Sequence, residues 1–350
     1  MQKRLLVSVV LAAGTMLGTA AHAQDLPKTQ LKIVGGLSNL SAYNEYEVPF
    51  WTKTIPELSK GQVTAEIKGF NEMGLKGPEL LRLMTQGVVP FGTATMSYFA
   101  SDNPVNEAID LAGLAPDAAT ARKITDAYLP TYAQFYQSTA SVKLLGISTY
   151  PAQVLFCNAD ITGLDSIKGK KVRTSSRTQA EFIEALGGTS VTMAFGEVVP
   201  AMQNKVVDCA ITGSLSGYSA KWYEVATHLY ALPINWNQQI HGVNQKVWDK
   251  LDPKVQTFLT ANVAKLVDSI WDAAAAQTQQ GYDCNTGAAA CSLPVKGKMK
   301  LVVPTDADRA LLKKVLSEQV LPKWASRTRT PYVEAWNQQI GPIAGVKAVK

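Results

Sequence analysis

The sequence predicts an α/β fold arranged as two domains or as one large two-lobed unit, and three observations support this. Residues 168–212 alternate strand, helix, strand, helix and strand, a pattern typical of a parallel sheet covered by helices. Residues 31–96 alternate strands and helices in the same way; in chain order they are the first alternation, and the region that contains 168–212 is the second. The chain has 350 residues, which is more than a single hydrophobic core usually serves.

The first alternation supplies the opening elements. Pro78 in the first turn and Gly87 beyond the last residue delimit one of its helices. We predict, in order, strand 31–36, helix 44–58, strand 63–70, helix 78–86 and strand 89–96.

A long helix at 117–138 comes next, followed by a strand at 142–149. Aromatic residues recur along this helix at helical spacing, and such a stripe more often packs in a core than forms a binding surface. The stripe consists of Tyr128, Tyr132, Phe135 and Tyr136.

The second alternation starts with a strand at 155–157 and continues with a short basic strand that ends at Arg173. The following helix, 177–186, has apolar residues at helical spacing and stops at a Gly-Gly pair. Ligands of open α/β sheets bind outside the carboxyl ends of the strands, so Arg173 lies where a ligand is expected.

The remaining elements are a strand at 240–248, a helix at 253–280, a strand at 299–303 and a terminal amphipathic helix at 306–325. Pro253 is well placed at the start of its helix. At about 28 residues this helix is far longer than the mean of about 11–12.

Four segments of the second alternation resemble, in order and spacing, motifs of the DctP-type solute-binding receptors of tripartite ATP-independent periplasmic (TRAP) transporters. Further matches lie at 223–226, at 243–244 with 248–251, and at 336–341, and the resemblance is strongest from 155 to 251. The four segments are Ile167–Arg173 (I-K-G-K-K-V-R), Ala185–Val191 (A-L-G-G-T-S-V), Phe195–Gln203 (F-G-E-V-V-P-A-M-Q) and Val206–Cys209 (V-V-D-C).

This resemblance implies a periplasmic-binding-protein-like fold, in which two lobes are joined by a hinge and one long helix spans both lobes. It assigns residues 24–147 and 214–250 to lobe I. It assigns residues 148–213 and 251–350 to lobe II.

The resemblance also implies a receptor that binds a small organic carboxylate and delivers it to the TRAP membrane permease. An ion gradient used by the permease would supply the energy, so no ATP site or other cofactor is expected. A binding protein of an ABC importer, with similar architecture, is the alternative. A secreted hydrolase with a two-lobed cleft is a second alternative.

Arg173 is the first candidate for ligand binding. A guanidinium presents its donors in a planar fork that matches a carboxylate. In the family, the arginine that ends this strand grips the carboxylate of the ligand. Arg177, four residues later, is either a second anion contact or a surface charge.

Thr212 occupies a position at which many family members have an asparagine that contacts the ligand. A hydroxyl can donate one hydrogen bond but lacks the paired donor and acceptor of an amide. Cys209 likewise replaces a common glycine. Both departures concern the identity of the ligand more than the fold.

The remaining wall of the site is expected from residues near predicted strand ends. Several of them are aromatic, which suggests a ligand with an apolar or aromatic body. The candidates are Asn39, Tyr43, Phe70, Glu72, Tyr98, Tyr150, Trp236 and Asn237.

The pattern of the N-terminal residues predicts a cleaved signal peptide, residues 1–23. A basic start precedes an apolar run, 5–17, that is too short for a membrane span, and Ala21-His22-Ala23 fits a cleavage site. We therefore predict a periplasmic protein whose mature chain is not inserted in the membrane. Removing Lys3 and Arg4 lowers the formal charge from +6 to +4, with no basic run that would indicate nucleic-acid binding.

All four cysteines lie in the mature chain, and an oxidising compartment permits disulfides. We predict a bond between Cys284 and Cys291 across a short Gly/Ala-rich insert, which would stabilise the fold by about 2–3 kcal/mol. Cys157 and Cys209 are either a second pair or two buried small side chains. Neither pair has the spacing of a metal site, so no metal is expected.

Sequence patterns of enzymes are missing. The sequence contains no G-x-S-x-G elbow, no H-E-x-x-H, no P-loop and no G-x-G-x-x-G after a strand. The hydrolase alternative therefore has little support.

Overall fold

The computed structural model describes residues 26–350, so the predicted signal peptide, 1–23, lies outside the described residues. The strands are β1 (Thr29–Gly35), β2 (Val63–Gly69), β3 (Phe91–Thr95), β4 (Val142–Ser148), β5 (Gln153–Cys157), β6 (Lys171–Thr174), β7 (Thr189–Thr192), β8 (Cys209–Gly213), β9 (His228–Asn235), β10 (Gln239–Asn244) and β11 (Lys300–Val302).

These strands form two mixed sheets. The first has the order β2-β1-β3-β10-β4, and the second has the order β11-β9-β5-β8-β6-β7. In the first sheet β1 is parallel to β2 and β3, whereas β10 is antiparallel to β3 and β4. In the second sheet β6 is parallel to β7 and β8. The predicted two-lobed α/β fold is therefore confirmed, with one sheet in each lobe.

Helices cover both sheets. They are α1 (Ile55–Leu58), α2 (Leu80–Thr85), α3 (Ala118–Ala140), α4 (Arg177–Ala185), α5 (Val198–Gln203), α6 (Ser214–Ser219), α7 (Gln245–Asp249), α8 (Pro253–Thr286), α9 (Asp306–Val315), α10 (Leu321–Arg327), α11 (Thr330–Gln339) and α12 (Gly341–Ala344). Two π-helical segments, Ala42–Glu47 and Phe50–Thr54, precede α1, and a third, Leu316–Val320, joins α9 to α10.

Local sequence explains where the longer helices begin. The side chains of Asp117, Ser176 and Asp252 accept hydrogen bonds from backbone N–H groups in the first turns of α3, α4 and α8. The helix α8 begins at Pro253 as predicted and ends before Gly287, which has φ of +73°. It therefore extends six residues beyond the predicted end at 280.

The aromatic stripe of α3 is core, as predicted. The rings of Tyr128, Tyr132 and Tyr136 are fully buried. Their hydroxyls hydrogen-bond to the carbonyl of Tyr332, the carbonyl of Val105 and the side chain of Asn106, respectively. This packing ties α3 to the C-terminal helices and to the segment that precedes α3.

The two sheets are connected at several places. The chain crosses between them at 149–152 and at 236–238, and α8 packs against β4 of the first sheet and β9 and β11 of the second. Asp110 stabilises the second crossing, because its carboxylate accepts hydrogen bonds from the backbone N–H groups of Trp236 (2.8 Å) and Asn237 (2.9 Å). These crossings are where a hinge between the lobes would bend.

The structure places one segment with a different sheet from the one that the predicted lobe boundaries gave it. Residues 214–235 belong with the second sheet, whereas we assigned 214–250 to lobe I. The strand β9 pairs antiparallel with β5, and α6 packs against α8. Of this region, β10 is the strand that returns to the first sheet. Strand order depends on long-range pairing, which the local pattern does not contain.

Both cysteine pairs are bonded. The predicted disulfide between Cys284 and Cys291 is present. A second disulfide joins Cys157 to Cys209, which lie opposite each other where β5 pairs with β8. Across residues 26–350 the structure contains no helix that is both long enough and apolar enough to cross a membrane.

Candidate ligand-binding site

A small cavity lies between the two lobes. Its walls come from residues at or just beyond the carboxyl ends of β1, β3, β4 and β6, together with residues of β5, β8 and α6, a turn after β7 and the crossing at 236–238. This is the edge at which open α/β sheets bind ligands. The lining residues are Leu37, Leu40, Thr95, Tyr98, Tyr150, Gln153, Arg173, Ser175, Phe195, Thr212, Ser216 and Asn237.

Arg173 lines the cavity with a side chain that is only 2% exposed. Its Nε and Nη2 donate to the carbonyl oxygen of Met193 at 3.2 and 3.0 Å, and its Nη1 donates to the carbonyl oxygen of Ile211 at 2.8 Å. A guanidinium has five N–H donors. One N–H on each terminal nitrogen therefore remains for a ligand.

The charge of Arg173 has no carboxylate within ion-pair distance among residues 26–350. Burial lowers the pKa of Arg173 to about 10, while Tyr98 and Glu197 act in the opposite direction. An unpaired buried charge is costly, and an anion in the cavity would remove that cost. The site is therefore electrostatically suited to one negative group.

A buried polar network lies directly behind the cavity. The backbone N–H of Gly36 donates to both carboxylate oxygens of Glu47 at 3.2 Å, and the Nε2 of Gln239 donates to the hydroxyl of Tyr150 at 2.6 Å. Burial raises the pKa of Glu47 to about 7. A methyl group on Gly36 would lie 2.9 Å from Glu47 Oε1 and 3.7 Å from the Tyr150 hydroxyl, so the two sets of contacts are adjacent.

The structure brings five of the predicted site residues together in this cavity. They are Arg173, Thr212, Tyr98, Tyr150 and Asn237. Two further predicted residues, Asn39 and Phe70, line an adjoining hollow that shares Leu37, Tyr98 and Phe195 with the cavity.

Two predicted residues, Arg177 and Trp236, lie outside both hollows. Arg177 starts α4, and its charge acts on the carboxyls of Glu107 and Glu181. The indole of Trp236 is buried and donates to the carbonyl of Ala115 at 3.1 Å.

The other two, Tyr43 and Glu72, support the loop beside the cleft. Glu72 accepts a hydrogen bond from the backbone N–H of Gly69 at 2.9 Å and so caps its own helical turn. The ring of Tyr43 is buried against Gly35, where an added methyl group would lie 2.6 Å from its Cε2.

Sequence reasoning missed several lining residues. Thr95 lies in the last two residues of the predicted strand 89–96, and Ser175 follows the predicted strand that ends at Arg173, so the rule that found Arg173 would also have found them. Gln153 had no local signal, because the pairing of β5 with β8 places it at the end of β8, opposite Gly213. Ser216 lies in α6, directly after β8. The full set is Leu37, Leu40, Thr95, Gln153, Ser175, Phe195 and Ser216.

Comparison with known proteins decides the family. The model of bacterial extracellular solute-binding protein family 7, DctP, matches residues 40–321. The chain belongs to the DctP family. The resemblance to TRAP-transporter receptors is thereby confirmed, and this DctP-family protein is a solute receptor rather than an enzyme.

Solved structures with the same fold come from several bacteria. A TRAP solute-binding protein from Desulfovibrio salexigens with bound orotic acid has a TM-score of 0.79 at 16% identity, covering 90% of this chain and 99% of its own. A pyroglutamic-acid-binding receptor from Bordetella pertussis has a TM-score of 0.78 at 19% identity (91% and 99%). A sugar-acid-binding protein from Advenella mimigardefordensis in complex with galactonate has a TM-score of 0.79 at 16% identity (91% and 100%).

A curated relative agrees over a shorter region. The C4-dicarboxylate-binding periplasmic protein DctP of Rhodobacter capsulatus is 30% identical over 117 residues. This match covers 33% of the present chain and 35% of the relative.

Proposed function

We propose that this DctP-family receptor binds a small organic acid anion through Arg173 and delivers it to the permease of a TRAP transporter. The observation that carries the proposal is the guanidinium of Arg173, which is buried in the interlobe cavity, has no carboxylate partner within residues 26–350 and retains two free N–H donors. The orotic acid, pyroglutamic acid and galactonate of the related structures are all organic acids, which supports this class of ligand.

In this proposal the two lobes close over the anion. Arg173 would form a bidentate charge-assisted pair with the carboxylate, and water would leave the cavity as the lobes meet. The ligand favours the closed state only by the difference in its affinity for the closed and open states. Arg173 makes that difference large if it meets the ligand at full strength only in the closed cleft, where the local dielectric is low.

The periplasmic location belongs to the same proposal. Cleavage after Ala23 would release a receptor that begins at Gln24, and the mature protein should be recovered in the periplasmic fraction. Delivery to a TRAP permease rather than to an ABC importer is favoured by family membership. A neighbouring permease gene without an ATPase gene would support this choice.

The test is a screen of small carboxylates by differential scanning fluorimetry, followed by calorimetric titration of the hits. We expect Arg173→Lys to weaken binding at least about tenfold, because lysine keeps the charge but loses the planar fork. Arg177→Lys is the matched control, since Arg177 lies in the same stretch but outside the cavity. Unchanged affinity in Arg173→Lys would remove Arg173 from the site.

A further inference from the structure

The cavity contains polar side-chain groups that the protein itself leaves unused. The hydroxyls of Thr212 and Ser216 make no hydrogen bond to another described residue, although both side chains are buried. Both line the cavity close to Arg173. Because these hydroxyls face the cavity and have no protein partner, they are available to a ligand, and a ligand that covered them without a hydrogen bond would leave them unsatisfied.

Two side-chain amides in the cavity each use one polar atom in a hydrogen bond to the protein and keep the other polar atom unbonded. Gln153 donates from Nε2 to the carbonyl of Pro151 at 3.0 Å, so its Oε1 is the end left as an acceptor. Asn237 accepts at Oδ1 from Ser97 Oγ at 3.2 Å, so its Nδ2 is the end left as a donor. The cavity therefore offers a free acceptor and a free donor besides the two hydroxyls.

The groups that can satisfy this set are restricted. A ligand hydroxyl can donate to Gln153 and accept from Asn237 at the same time, and it can also pair with a serine or threonine hydroxyl. An alkyl chain or an unsubstituted aromatic ring would leave all four protein groups buried and unpaired. Such a mismatch causes strong rejection in sites built for hydrogen bonding.

The cavity also limits the number of carboxylates. Arg173 is the one lysine or arginine among the lining residues of the described chain, and the charged residues of the adjoining hollow are Lys76 and Glu197, which pair with each other. A second carboxylate inside the cavity would be desolvated without a cation, which is costly.

From this geometry we infer that the ligand is a small monocarboxylate whose body carries several hydroxyl groups, and that Thr212 and Ser216 help to select it. This inference rests on the proposed function, in which Arg173 holds the carboxylate. It differs from the apolar or aromatic body that the aromatic residues near the strand ends suggested.

The experiment is calorimetric titration of the mature receptor with matched acids. The hydroxylated probes are glycerate, gluconate and galacturonate, and the comparison probes are propionate, hexanoate, benzoate and adipate. We expect at least one hydroxylated monocarboxylate to bind about 100-fold more tightly than every comparison acid. Arg173→Lys should weaken that binding.

Two variants test the selecting residues. Thr212→Val keeps the shape but removes the hydroxyl, and both it and Ser216→Ala should weaken binding of the hydroxylated acid about tenfold. The preference over the comparison acids should shrink, because those acids no longer leave that hydroxyl unpaired. Thr189→Val, on β7 and outside the cavity, is the control. Melting temperatures of the unliganded variants check that the fold is intact.

The outcomes separate the two proposals. If hexanoate, benzoate or adipate binds as tightly as the hydroxylated acids and depends on Arg173, the receptor function stands and the inference is overturned. If Thr212→Val and Ser216→Ala both leave the preference unchanged, their selecting role is overturned. If no carboxylate binds, or if binding does not depend on Arg173, the proposed function itself fails.

Discussion

The buried carboxyl of Glu47 gives a quantitative prediction about stability. It lies behind the cavity, is 1% exposed and accepts hydrogen bonds from Gly36. Burial raises its pKa from 4.5 to about 7, against the lowering effect of hydrogen bonds from Thr93 and Gly36. Between these values the folded state holds a proton that the unfolded state releases. The free energy of unfolding therefore falls as the pH rises from 4.5 to 7 and levels off above that.

Glu47→Gln removes the titrating group and keeps a side chain of the same shape with one acceptor oxygen. One pH unit corresponds to about 1.4 kcal/mol, so the raised pKa of Glu47 corresponds to about 3 kcal/mol. We expect the unfolding free energy of Glu47→Gln, minus that of the wild type, to increase by about 3 kcal/mol between pH 4.5 and pH 8. The sign is positive because the variant escapes the cost of a buried ionised carboxylate.

Urea unfolding followed by tryptophan fluorescence at closely spaced pH values measures this difference. Other buried groups titrate in both proteins and cancel, including His241, whose pKa burial lowers to about 4. Glu45→Gln is the control, because Glu45 is exposed on the same helical segment. A difference between Glu47→Gln and the wild type that is flat across the pH range would refute the reasoning.

Two further predictions concern the mouth of the cleft and the second lobe. Lys76 Nζ lies 2.9 Å from Glu197 Oε1, across the gap between the lobes, so Lys76→Glu should speed ligand release by up to about fivefold in stopped-flow measurements at low salt, because like charges then oppose closure. An equal effect at 1 M salt would contradict an electrostatic origin. The bond between Cys157 and Cys209 closes a loop with a sequence separation of 52, so replacing both by serine should destabilise the fold by about 4 kcal/mol in the chain-entropy model. Scanning calorimetry checks this, and a melting temperature equal to that of the wild type would contradict it.

Local sequence predicted several of the strands and helices that position the site. The short basic strand before α4 placed Arg173 at the carboxyl end of a strand, and Ser176 and Gly187 bracket the helix that follows. Pro253 likewise marked the start of the long helix. These features depend on residues a few positions apart, and the backbone preferences that create them act over the same distance.

The sequence by itself therefore determined the α/β class, the positions of most strands and helices, the family, and the arginine that lines the cleft. Only the tertiary structure decided that residues 214–235 join the second sheet, that Cys157 meets Cys209, and that Gln153 lies at the end of β8 beside Thr212. The physical reason is that β5 and β8 pair across about fifty residues of intervening chain. Such pairing depends on burial and on the order of strands in a sheet, and no periodicity within either strand records which strand will be its neighbour.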